Sequence, residues 1–423
     1  MGETLEQNRR IGLRAWQHAA VFVAACAILI SRRPDSVIHS QFWAEDGRVL
    51  YAEAYNLGWW DALFRAYNGY YSTVGRLAAS LALLAPFSCA PLILNLIAIA
   101  NAALPVNLLL SSRSGALGSL RFRAVLAAVY LALPNFLILR HGICEVAWYV
   151  SLSAMLVLVF QPATNWASRC FDVSVLMLAG LSGPHCIFLL PIALFLAWKY
   201  RDQWRWILTG VLAVSVAIQA YGLLVVNPTG RPQAALGANP VTLVRILGGN
   251  VVFAALLGRN GLAVKTGTGT MVFLFCLVLG GIAISTYCCL KSNLEMKLFF
   301  AFTAMALAAS LLSPSLHSSA QSTAWDQMAN AYEIRYWFFP SLVFAWSLIW
   351  CAWNGNDGTK VASAVLLVAM GFGIVLNWRL QPYADLDFAK EARTFEAAPP
   401  GTVMVIPLNP LGWNMQLVKH AAK

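Results

Sequence analysis

Hydrophobic and polar positions along this chain fall into blocks rather than into a short period. Apolar runs cover about 15–31, 73–110, 124–140, 147–160, 171–183, 184–198, 206–226, 242–257, 271–290, 298–313, 336–352 and 361–377. A helix of roughly 20 apolar residues matches the hydrocarbon thickness of a bilayer. The pattern therefore predicts an all-α polytopic membrane protein. Short connectors carrying Lys or Arg belong on the cytoplasmic side: Arg9/Arg10/Arg14, Arg113/Arg121/Arg123, Lys199/Arg201/Arg205 and Lys291/Lys297. Placing all four inside has two consequences. The run 73–110 crosses once, at about 90–110, which leaves 73–88 as a juxtamembrane helix. The run 242–257 does not cross and becomes an outer-surface or re-entrant helix. The expectation is about 11 transmembrane helices, with the N-terminus cytoplasmic and the C-terminus outside.

This divides the chain into a transmembrane domain, 1–377, with outer loops at 32–72 and 227–270, and a small α/β tail at 378–423. In the tail, Asp385–Glu396 reads as a helix, Pro399–Gly401 as a turn and Thr402–Ile406 as a short strand. Forty-odd residues are too few for a core of their own, so the tail should pack on the outer loops. The first apolar run follows basic residues, as in a signal peptide. Arg32, Arg33 and Pro34 stand where a small-residue cleavage site would be, so 15–31 reads as a retained span.

Composition sharpens this picture. Of 423 residues, 59% are apolar and 11% charged, with mean hydropathy +0.65; a soluble enzyme, a disordered regulator and a nucleic-acid-binding domain are excluded. The net charge of +11 is meaningful only by side of the membrane. Beyond the orienting connectors, charge gathers on 32–72, 227–270, 314–335 and 378–423. His39, His141, His185, His317 and His420 also fall on or near the outer side. Cys26, Cys89, Cys276, Cys288, Cys289 and Cys351 lie within apolar runs and behave as small hydrophobes. Cys144 and Cys186 both lie near outer helix ends, which leaves a disulfide open; no spacing resembles a zinc site.

The first outer loop carries the most chemistry. It holds Asp35, Glu45, Asp46, Glu53 and Asp61, and the Glu45–Asp46–Gly47 turn precedes an amphipathic stretch beginning near Arg48. A carboxylate held there can take a proton from a substrate hydroxyl; Asp at that place is also a favoured N-cap. Tyr51, Tyr55, Trp59, Trp60 and Phe64 suit either an interfacial belt or sugar stacking. The loop 227–270 carries Arg231, Arg245, Arg259 and Lys265 with no acid in the stretch, a set suited to a phosphate or to lipid headgroups. Arg335, in YEIRYWFFP, opens a span as either a phosphate contact or a snorkelling anchor. HGICEVAW brings His141, Glu145 and Trp148 to another helix end, and GPHC places His185 at a break between spans. These groups are either helix-end structure or substrate contacts. No spacing requires a metal.

The stretches FWAEDGRVLYAEAYNLG and YNGYYSTVGRLAA, and the tail PPGTVMVIPLNPLGWNMQLVK, resemble the GT-C superfamily of membrane glycosyltransferases. Within it they are similar to polyprenyl-phosphate-sugar-dependent enzymes that decorate bacterial O-antigen and other surface glycans. The likeness of architecture covers nearly the whole chain, and the quotable motifs about a sixth of it. The resemblance implies an inverting glycosyltransferase at the periplasmic face of the inner membrane. Its donor would be a polyprenyl-phosphate sugar and its acceptor a lipid-linked or surface glycan. Asp46 would be the base, with Glu45 orienting it or touching the acceptor. Arg231, Arg245, Arg259, Lys265 and Arg335 would hold the donor phosphate. Tyr70, Tyr71, His141, Glu145, His185, Tyr336 and Trp413 would contact substrate, although Trp413 and Lys419 also suit packing. The superfamily divides on metal dependence, so a divalent metal is allowed but not required. Two other readings stay open from composition: a lipid or small-solute transporter or flippase, and a noncatalytic scaffold. Against the transporter, charges sit at helix ends rather than mid-span, and the chain shows no internal repeat.

Overall fold

The computed structural model describes residues 13–134, 142–226, 234–258, 268–316, 322–330 and 335–421. Helix α1 (Ala15–Arg32) is followed by a loop that winds through a π-helical turn, Asp46–Tyr51, into α2 (Ala52–Leu57). Gly58, at φ +91°, breaks this helix from α3 (Trp59–Leu63). The run 73–110 divides as expected, into α4 (Thr73–Ala82) and α5 (Ala90–Leu110). The break contains Pro86, which cannot donate to a continuous helix.

The bundle continues with α6 (Leu120–Ala132), α7 (Val146–Val159), α8 (Trp166–Gly180), α9 (Cys186–Tyr200) and α10 (Gln203–Tyr221). It is completed by α11 (Pro240–Leu257), α12 (Thr268–Lys291), α13 (Leu294–Leu312), α14 (Ala324–Asn330), α15 (Phe338–Asn354) and α16 (Asp357–Leu376). Among the described residues, eight helices are long and apolar enough to cross a membrane. Seven of them fall on expected crossings. The eighth is Pro240–Leu257, an 18-residue helix on the run expected to stay outside. Two more expected crossings, Ile143–Val159 and Cys186–Tyr200, are apolar but shorter.

Burial explains why the pattern was blocky rather than periodic. In the span Arg335–Asn354, 83% of the most apolar window is buried, against 17% in Ala15–Arg32 and in Asp357–Leu376. Val361, Val365, Val368 and Phe372 of α16 face outward, as suits contact with lipid tails. A helix surrounded by other helices and one facing lipid are both apolar all round. Polar side chains tie the ends instead. Ser119, Asn165, Asp202, Asn293 and Asn356 cap the starts of α6, α8, α10, α13 and α16. Arg32, fully buried, donates to Leu131 O (2.9 Å) and Leu133 O (3.1 Å) past the end of α6. Arg113 holds buried Asp172 through two bonds of 2.7 and 2.8 Å.

The tail forms α17 (Phe388–Ala397) and an antiparallel hairpin of β1 (Val403–Leu408) and β2 (Trp413–Val418), with Val403 opposite Val418. It packs on the first loop, as its small size required. Asn409 bridges to that loop by accepting from Ala44 N–H and donating to Phe42 O. Asn56 of α2 bonds Gln416 O and Val418 N–H. The strand β2 was not foreseen, although its alternation of exposed and buried residues is legible in Asn-Met-Gln-Leu-Val. All nine cysteines are free, so Cys144 and Cys186 are not paired.

Candidate active site

The first loop builds the site around a strained turn. Ala44 sits in the left-handed region at φ +36° and is buried, a conformation that needs support from its surroundings. Asn409 of the tail supplies it on both sides. Gly47 follows the acidic pair because a Cβ there would lie 2.9 Å from Leu408 Cδ2. Past this turn, Glu53 of α2 pairs with the buried Arg76 of α4 at 2.7 Å and with Arg65 at 3.4 Å. That ion pair locks the juxtamembrane helix α4 to the loop. It also joins two of the stretches that carry the family resemblance.

Asp46 is 1% exposed and reaches across to another element. Its carboxylate accepts from Ile143 N–H at 3.0 Å and Cys144 N–H at 2.8 Å, the first amides of the turn that leads into α7. An anion at a helix start meets unpaired amides and the positive end of the helix dipole. Gly142 allows this approach, since a Cβ there would lie 3.0 Å from Asp46 Oδ2. Burial pushes the Asp46 carboxyl up to about 7. The bonds from Cys144 and Ile143 oppose that shift, and the neighbouring Glu45 charge adds to it.

Two adjoining cavities lie beside this turn. The larger, ≈ 320 Å³, is mostly apolar, with Trp148, Phe188, Leu223 and Leu312 among its walls. Its polar groups include Arg335, Tyr70, His185 and Tyr336. The smaller, ≈ 30 Å³, is lined by Glu45, Tyr67, Asn68, Tyr70 and Arg335 among others. Tyr70, Cys144, Ala147 and Arg335 are walls of both. Asp46 lines neither.

Local sequence explains why these side chains converge. Asn68 (φ +52°) and Gly69 (φ +83°) form a two-residue turn closed by Tyr67–Tyr70 bonds of 2.9 and 3.2 Å, the geometry that Asn-Gly favours. It sets Tyr67 and Tyr70 side by side. Gly183, at φ +135°, turns the chain before Pro184, so that His185 stands at the head of α9. His185 is 6% exposed, and among the described residues its Nδ1 has no hydrogen-bond partner. Burial, helped by the Arg335 charge, lowers its pKa to about 3, so the ring is neutral. Its centroid lies 4.4 Å from that of Trp148.

The other expected site residues distribute as follows. Glu145 is buried within electrostatic reach of Arg335. Tyr336 lines the larger cavity and its hydroxyl accepts from Ser315 N–H at 2.9 Å. Tyr71 does not line either cavity; its backbone is clasped by Gln219 of α10. Trp413 packs under Arg48 of the first loop, 5.4 Å from guanidinium to ring. Arg245 bonds Asn330 at 2.7 Å and lines neither cavity. Arg231, Arg259, Lys265 and His141 lie outside the described residues. Tyr67 and Asn68 were missed by the sequence reading, although the Asn-Gly turn was a legible signal. Among the described residues no group of three or more His, Cys, Asp or Glu is placed to hold a metal ion.

Comparison with family models, with characterised proteins and with solved structures finds no match for this chain.

Proposed function

We propose that this chain is an inverting membrane glycosyltransferase that moves a sugar from a polyprenyl-phosphate donor to a glycan acceptor. The observation that carries the reading is the pair of adjoining cavities that share Arg335 and Tyr70. One is apolar, at ≈ 320 Å³ within the range of about 300–1,000 Å³ usual for ligand sites. The other holds a loop carboxylate. An amphiphilic donor and a hydroxyl nucleophile need such a division. The donor's first isoprene units would lie along Trp148, Phe188 and Leu223, with the remaining tail in the bilayer. Its phosphate would meet Arg335, whose guanidinium offsets the charge that grows on the leaving oxygen. The neutral ring of His185 adds a hydrogen-bonding group without a second charge. Arg231, Arg259 and Lys265, on the 227–270 loop, would complete the anion site.

In the reaction, the acceptor oxygen bonds to the anomeric carbon as the bond from that carbon to the phosphate oxygen breaks. The electron pair leaves with the lipid phosphate and the hydroxyl proton passes to a carboxylate of the first loop. Eleven crossings, with the N-terminus cytoplasmic, would put the site at the periplasmic face of a bacterial inner membrane. The acceptor is then an O-antigen or other surface polysaccharide. The test compares the mass of the host's surface polysaccharide with the protein, without it, and with Arg335→Met. A sugar-sized mass increase that needs the protein, and falls at least ~100-fold with Arg335→Met, is expected. Identical polysaccharide in all three strains contradicts the reading.

A further inference from the structure

We propose that Glu45, not Asp46, is the general base, and that Asp46 is a positioning residue that holds the turn against α7. The assignment rests on the glycosyltransfer reading above and reverses the order that the sequence suggests for the acidic pair. Successive residues on a helical turn point about 100° apart, so the two carboxylates cannot serve one space. Asp46 turns to the amides of Ile143 and Cys144, and both of its oxygens accept there. It is 1% exposed and lines neither cavity. The backbone of Gly142 closes over it, with room for no Cβ. An acceptor hydroxyl in either cavity therefore does not meet it.

Glu45 is half-buried and lines the smaller cavity together with Arg335, Tyr67, Asn68 and Tyr70. Its ≈ 30 Å³ exceeds the roughly 10–15 Å³ needed to admit one water molecule, so a single hydroxyl fits. That hydroxyl would stand between the Glu45 carboxylate, which takes its proton, and the shared wall where Arg335 meets the donor phosphate. The new bond joins the acceptor oxygen to the anomeric carbon. The broken bond returns its electrons to the phosphate oxygen. Asp46 acts through Glu45: its two amide bonds fix the turn, and the buttressing of Ala44 by Asn409 fixes the other side.

The experiment uses the full chain in membrane vesicles loaded with undecaprenyl-phosphate glucose, galactose or mannose and host glycan acceptor. Binding of undecaprenyl phosphate is read separately, from protection against thermal unfolding. Glu45→Gln is expected to lose transfer by ~100-fold or more while keeping that protection, and Glu45→Asp to keep part of the rate. Formate should partly restore Glu45→Ala by entering the small cavity. Asp46→Asn, which retains an acceptor for one amide, is expected to keep at least a tenth of the rate, and Asp46→Ala to gain nothing from formate. Transfer by Glu45→Gln within threefold of the unaltered protein overturns the assignment. So does formate rescue of Asp46→Ala in place of Glu45→Ala. If the unaltered protein transfers none of the three sugars, the glycosyltransfer reading itself fails and takes this assignment with it.

Discussion

Asp46 and Glu45 are neighbours in sequence, and the environment separates their roles. The Asp46 carboxyl, raised by burial to about 7, keeps its proton over a range where a free carboxyl has lost it. Between the usual 3.8 and about 7, the folded chain binds more protons here than the unfolded chain. Stability from this group is therefore full below 3.8 and declines as pH rises through 7. The groups that act on it are Glu45, the Cys144 thiol and the amides of Ile143 and Cys144. The thermal midpoint of the detergent-solubilised protein should fall between pH 5 and pH 8 more steeply than that of Asp46→Asn. Equal slopes would contradict the burial argument. Gly142→Ala presses a methyl group on Asp46 Oδ2 and should lower both the midpoint and the transfer rate. The sequence showed an acidic pair before a helix but not which partner faces the cavities. That choice depends on residues 142–144, about a hundred positions away, and no local pattern encodes it.

At the scale of elements, the first loop is held from two sides. On one side the Glu53–Arg76 pair joins α2 to α4. Removing one partner of a buried pair leaves the other uncompensated, at about 3–5 kcal/mol. Because Glu53 is partly solvated (28%), Arg76→Met should fall toward the lower end, read from thermal unfolding. On the other side the tail hairpin presses Leu408, which is 2% exposed, against Gly47. Leu408→Ala should cost about 2–5 kcal/mol at that joint. It should also expose 398–421 to limited proteolysis before the bundle unfolds. A tail cleaved no faster than in the unaltered protein would show that Asn409 and Asn56 hold it alone. The tail helix and its first strand were legible from turn residues and alternation. The docking was legible only as a necessity of size, since the Asn409 bonds to Phe42 and Ala44 span more than 360 residues of sequence.

For the whole molecule, blocks of apolar residues made the membrane-spanning character plain, and eight helices have crossing length among the described residues. The number of crossings was less legible. Buried α7 and half-exposed α9 are short, and Pro240–Leu257, expected outside, is long and apolar enough to span. Apolarity marks burial and lipid contact alike, so hydropathy cannot separate them. A reporter joined after Lys423 should be active on the periplasmic side, and cytoplasmic activity would reverse the proposed orientation. The cavities were legible only in part: Arg335, Tyr70, His185 and Tyr336 were singled out as residues, but their meeting joins three distant segments. The most direct test of the central claim is sugar transfer by the purified protein in liposomes holding a polyprenyl-phosphate sugar and the host glycan. Glycan carrying the sugar through an inverted anomeric linkage is expected, with Glu45→Gln at least ~100-fold slower. Glycan left unmodified, or modified equally by Glu45→Gln, would contradict it.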